Sequence, residues 1–125
     1  MPTLTEGGYA NGFVISEAPG TYSRENKTLI SGQNLLAGRV LGKITASGKY
    51  TALAPAASDG SEVAAAILVV DTDASGGDKT CPVIARNAEV NNLELGWGAL
   101  NGGQITTATA QLAAATINII VRAGI

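Results

Sequence analysis

From residue 27 onward the chain consists of short apolar runs separated by clusters of Gly, Pro, Asn, Asp and Ser. That punctuation predicts strands of a few residues each. "KTLIS" (Lys27 to Ser31) opens the series. "RVLGKITASGKYTAL" (Arg39 to Leu53) reads as a hairpin with Ser47 and Gly48 at its tip. "PAASDGSE" (Pro55 to Glu62) is a loop carrying an Asp-Gly turn. "VAAAILVV" (Val63 to Val70) is continuously apolar instead of alternating, which predicts a strand buried on both faces. "TCPVIAR" (Thr80 to Arg86) is a further strand, and its Pro82 points to a strand start or an edge. The final "INIIVR" alternates, with Ile117, Ile119 and Val121 on one face, and returns to the core as a strand.

Two stretches carry helical spacing. In "EVNNLELGW", Val90, Leu93 and Trp97 recur at helix-like intervals until Gly96 and Gly98 stop the pattern. In "TTATAQLAAAT" (Thr106 to Thr116), Thr106 serves as N-cap, and Ala108, Leu112 and Ala115 form a small apolar ridge.

The N-terminal part differs. Met1 to Gly12 is small, polar and Gly-containing, and reads as a flexible leader. "FVIS" (Phe13 to Ser16) follows, then the polar bridge "EAPGTYSREN" with its Pro-Gly turn. Four strand-forming residues between breakers need a neighbour for their backbone groups, and that neighbour lies either in this chain or in another protein. The expected organisation is therefore an arm and linker over residues 1–25 and a single mainly β domain over residues 26–125.

Composition sharpens this picture. In a chain of 125 residues, apolar types make up 46% but aromatics only 4%, so a core of Ala, Val, Ile and Leu is thin and oligomerisation is an expected source of further burial. A net charge of −2 gives no basic footprint for nucleic acid and no cationic face for a membrane. The longest apolar run is too short to span a bilayer, and no basic region followed by an apolar one predicts export. One cysteine, Cys81, excludes an internal disulfide and fits a reducing cytoplasm or a particle assembled there. The absence of histidine removes Ser-His and Cys-His pairs, His-containing zinc sites and the usual general base near neutral pH. An enzyme is not expected.

The remaining candidate chemistry is sparse. "DTDASGGD" (Asp71 to Asp78) places Asp71, Asp73, Ser75 and Gly76 as in the first half of a calcium loop, but Pro82 stands where the closing Glu belongs. An acidic turn between strands accounts for it better. Cys81, beside Pro82 in an apolar strand, reads as a buried filler. Glu89 and Glu94 read as solvated charges, and Trp97 as a packing anchor. No cofactor, metal or small-molecule substrate is implied.

The order of segments carries a resemblance. "SRE" (Ser23 to Glu25), "AGRVLGKI" (Ala37 to Ile44), "DGSEVAAAIL" (Asp59 to Leu68) and "VIARNAEVN" (Val83 to Asn91) are its most specific pieces, and the likeness runs from about Phe13 to the C-terminus. Together they resemble the lambda-type head decoration proteins of tailed bacteriophages. The resemblance implies a β-clip-like bent ribbon of short strands with one or two short helices, assembled as a homotrimer. It implies docking on the outer surface of an expanded head at threefold and local threefold positions, where the trimer holds major capsid protein subunits against internal DNA pressure. It also implies that the N-terminal arm adds a strand to a capsid-protein sheet, with Phe13, Val14, Ile15, Ser16 and Glu17 as the capsid-binding residues. "FVIS" would then find its neighbour in the capsid protein. The alternative is a small β receptor- or carbohydrate-binding module, which requires an exposed aromatic platform.

Overall fold

The computed structural model describes residues 14–17, 23–91, 95–97, 100–114 and 117–122. In chain order the elements are β1 (Val14–Glu17), β2 (Arg24–Leu29), β3 (Asn34–Leu35), β4 (Val40–Lys43), β5 (Tyr50–Ala52), β6 (Ala64–Leu68), β7 (Thr72–Asp73), β8 (Lys79–Ile84), β9 (Ala88–Asn91), α1 (Gly102–Leu112) and β10 (Ile119–Arg122). The domain is mainly β with one short helix, as the punctuated pattern predicts.

Five strands close on themselves in the order β2-β5-β4-β6-β8. The closing seam is the antiparallel pairing of β8 with β2, from Arg24 opposite Ile84 to Leu29 opposite Lys79. The described strands therefore form a small closed barrel, a closure that the β-clip-like bent ribbon of the resemblance does not specify. Closure leaves these five strands without a free edge in the ladder. The β4–β5 hairpin forms as expected, with Lys43 opposite Tyr50 and Gly48 at φ +74° in its turn. The arm-domain division expected between residues 25 and 26 falls inside β2.

Two packed clusters explain the long apolar run. Leu41, Ala66, Leu68, Cys81 and Val83 fill one cluster together with Leu29 and Tyr50. Val40, Ala64, Ile67 and Ile84 face the other, which they share with Ala88, Val90, Ala108, Leu112 and Ile119. Strands β4, β6 and β8 thus form a wall buried on both sides, and β6 needs apolar residues on both faces.

Pro82 sits within β8, between β2 and β6, and not at a strand start. Its missing donor is tolerated because the β6–β8 pairing ends at Leu68 opposite Val83. One step further the Val69 N–H donates to the Pro82 carbonyl at 3.1 Å and asks nothing of the proline nitrogen.

The second cluster is roofed by α1 and by the sheet β1-β9-β10. Helix α1 begins four residues before the expected Thr106, because Asn101 caps it: its side chain accepts the Gln104 N–H at 2.9 Å, and the Gln104 side chain accepts the Asn101 N–H at 3.0 Å. Ala108 and Leu112, one turn apart, are its buried face, as the spacing predicts. The Gln111 side chain accepts the Ala64 N–H at 2.8 Å and ties the helix to the start of β6.

Residues 88–91 are a strand, not the first turn of a helix. Ala88 and Val90 alternate inward, and β9 has partners on both sides, antiparallel β1 and parallel β10. Two sets of ladder hydrogen bonds outweigh a weak local helical spacing. Leu93 lies outside the described residues.

Candidate functional site

Of the expected capsid-contact residues, Val14, Ile15, Ser16 and Glu17 form strand β1. Its backbone runs antiparallel to β9, with Val14 opposite Val90, Ser16 opposite Glu89 and Glu17 opposite Ala88, and a bulge between Val14 and Ser16. Val14 is half-buried against the cluster under the roof. The neighbour that "FVIS" needs is therefore in its own chain. This corrects the expectation that "FVIS" finds its neighbour in the capsid protein. Phe13 lies outside the described residues. In the order β1-β9-β10, β1 is an edge strand, so its backbone is paired on the β9 side only among the described residues.

The sheet is fixed to the barrel by two asparagines that sequence reading did not single out. Asn87 and Asn118 adopt φ of 51° and 55°, a left-handed conformation that short polar side chains tolerate. They precede β9 and β10, and the Asn118 Nδ2 donates to the Asn87 Oδ1 at 3.0 Å. The Asn87 N–H donates to the Ile117 carbonyl at 2.9 Å. The buried Ser23 hydroxyl donates to the Asn87 carbonyl at 2.8 Å, which joins this corner to the start of β2. Asn118 lies inside the alternating "INIIVR" and Asn87 stands before a helical spacing, so the sequence carried no local signal for either.

The segments that carry the resemblance meet in pairs. Ser23 reaches Asn87, and Glu25 forms ion pairs with Arg86 and with Lys27, so "SRE" packs on "VIARNAEVN". Likewise β4 from "AGRVLGKI" pairs with β6 from "DGSEVAAAIL". A β-carbon at Gly42 would run into the Ser61 carbonyl oxygen and stand 2.8 Å from the Ser61 carbonyl carbon.

The acidic turn distributes its carboxylates among separate protein donors. Asp71 accepts the Ala37 N–H at 2.8 Å. Asp73 accepts the Ser75 hydroxyl at 2.6 Å and the Ser75 N–H at 3.0 Å, and these bonds hold its carboxyl below the usual range. Asp78 accepts from Lys49 at 2.6 Å and from the Ser31 N–H at 2.9 Å, and is lowered by both. The turn is a staple between strands, consistent with the acidic-turn reading.

Cys81 is buried in the barrel cluster, and burial pushes its thiol up. Trp97 is half-buried against the roof cluster and serves as packing, not as an exposed platform. Glu89 lies in β9, whereas Glu94 lies outside the described residues. An open groove of about 470 Å³ runs between α1 and the loop after β5, lined by Leu53, Pro55, Glu62, Gln104 and Thr107 among others. Glu62 is the one carboxylate in its lining among the described residues, and that side chain accepts the Gly60 N–H at 2.8 Å. A single engaged acid does not make a general acid–base pair.

The described residues thus form a small closed barrel with an appended three-stranded sheet whose edge is β1. The chain matches the family model of bacteriophage lambda head decoration protein D over residues 3–117, and it belongs to that family. No curated protein matches it. Family membership makes it a structural protein of the bacteriophage head that decorates the capsid.

Proposed function

We propose that the protein binds as a homotrimer to the outer surface of the expanded head, at threefold and local threefold positions. There it bridges major capsid protein subunits and stabilises the shell against internal DNA pressure. The family match across residues 3–117 carries this reading. Exposed Leu36, Val63 and Val70 supply apolar surface that contacts between copies or with the capsid would cover.

The capsid contact is assigned to Phe13, Val14, Ile15, Ser16 and Glu17. With β1 already paired to β9, strand addition takes place at its outer edge, so that β1 bridges the sheet of the decoration protein and that of the capsid protein. A strand held in a folded sheet loses less backbone entropy on docking than a free arm, whose ordering costs about 1–2 kcal/mol per residue. Three such edges on one trimer act at high effective concentration, and avidity raises affinity by roughly 10²–10⁴.

Electron microscopy of undecorated expanded heads incubated with the purified protein tests the reading. The expected result is density at threefold and local threefold positions. Heads that remain bare at saturating protein would overturn it.

A further inference from the structure

We propose that Asn101 is a latent modification site, an amide set to convert to an acid through the Gly102 nitrogen and held back by the capping box of α1. The inference is independent of the capsid reading. Asn101 is exposed and is followed by Gly102 and Gly103. Glycine has no side chain to shield its backbone nitrogen. As the first residue of the helix, Gly102 also has no intrahelical acceptor for its N–H.

The step balances with water alone. The Gly102 nitrogen gives its proton to solvent base and bonds to the Asn101 Cγ, and ammonia leaves. Water then opens the five-membered imide at either carbonyl, giving aspartate or isoaspartate. Ring closure requires the Asn101 amide to turn toward the Gly102 nitrogen. In the fold that amide is engaged elsewhere: its Oδ1 accepts the Gln104 N–H at 2.9 Å, while the Asn101 N–H donates to the Gln104 Oε1 at 3.0 Å. Both the side chain and the backbone of Asn101 are thus pinned, with φ −86° and ψ 174°.

The two products act on α1 in opposite directions. The first turn of α1 contains no acidic residue, so an aspartate at the cap places the first negative charge beside the partial positive charge of the helix N-terminus. Isoaspartate lengthens the backbone and removes the cap. Through Ala108, Leu112 and the Gln111 bond to Ala64, either change reaches β6.

The test is peptide mapping by mass spectrometry of the full chain held at mildly alkaline pH, in native buffer and in urea. The second Asn-Gly pair, Asn11–Gly12, reports unfolded reactivity in the urea sample. Conversion at Asn101 is expected to be roughly fivefold or more slower in buffer than in urea, the factor one cap is worth. Gln104→Ala, which frees the Asn101 N–H but keeps the backbone N–H that holds Oδ1, should raise the native rate part of the way to the urea rate, whereas Gln104→Glu, which keeps the acceptor, should not. Equal rates in buffer and urea, a native rate indifferent to Gln104→Ala, or equal acceleration by both variants would overturn the proposal.

Discussion

Val14 stands opposite Val90, the first of three pairings that join the N-terminal strand to β9 over the second core cluster. Removing residues 1–17 bares the edge of β9 and uncovers apolar surface beneath Val14. The truncated chain should fold but lose about 1–3 kcal/mol of stability, a fall of several degrees in melting temperature. It should also bind undecorated heads far more weakly in cosedimentation. A truncated chain with unchanged melting temperature would show that β1 contributes nothing to the fold. One that still decorates heads fully would remove residues 13–17 from the capsid contact.

Gly42, in β4, lies against the Ser61 backbone with no room for a side chain. The three nearest neighbours of a β-carbon there all belong to the Ser61 backbone, which has no flexible end to move aside. Gly42→Ala should therefore destabilise by about 2–3 kcal/mol through overpacking. Urea denaturation followed by circular dichroism measures it. A change within experimental error would mean that the loop before β6 shifts freely.

Acid should weaken the protein through three carboxylates. The Ser61 hydroxyl and N–H lower Asp59, those of Ser75 lower Asp73, and Lys49 with the Ser31 N–H lowers Asp78, each from 3.8. A lowered native pKa means that the unfolded chain binds more protons, so the stabilisation is complete above 3.8 and is lost as pH falls through the lowered values. Melting temperatures measured downward from about pH 5 should fall, and Asp78→Asn should flatten part of that slope. An identical slope in the variant would remove Asp78 from the account.

Thiol and metal chemistry should prove dispensable. Cys81 is 1% exposed and its thiol is pushed up by burial, so thiol reagents should label it only on unfolding. Asp71, Asp73 and Asp78 each hold a different protein donor. A chelator should therefore leave the melting temperature unchanged. Rapid labelling of the native chain, or a drop of many degrees with chelator, would contradict these readings.

The sequence by itself determined the local elements whose chemistry is complete within a few residues. Gly48 supplies the positive φ of its hairpin. Ala108 and Leu112 repeat at one helical turn. The unbroken run from Ala64 to Leu68 requires apolar surroundings on both faces, and it has them in the two clusters. Tertiary structure alone decided what depends on a distant partner. The β9 segment has a helical spacing and becomes a strand because β1 and β10 flank it. Pro82 is accommodated within β8 only because β6 ends beside it. The strand at Val14 reads as partnerless until Val90, far along the chain, is placed opposite it. Turn and helix signals act over a few residues and are written locally, whereas a strand's hydrogen bonds are satisfied by whichever segment the fold brings alongside.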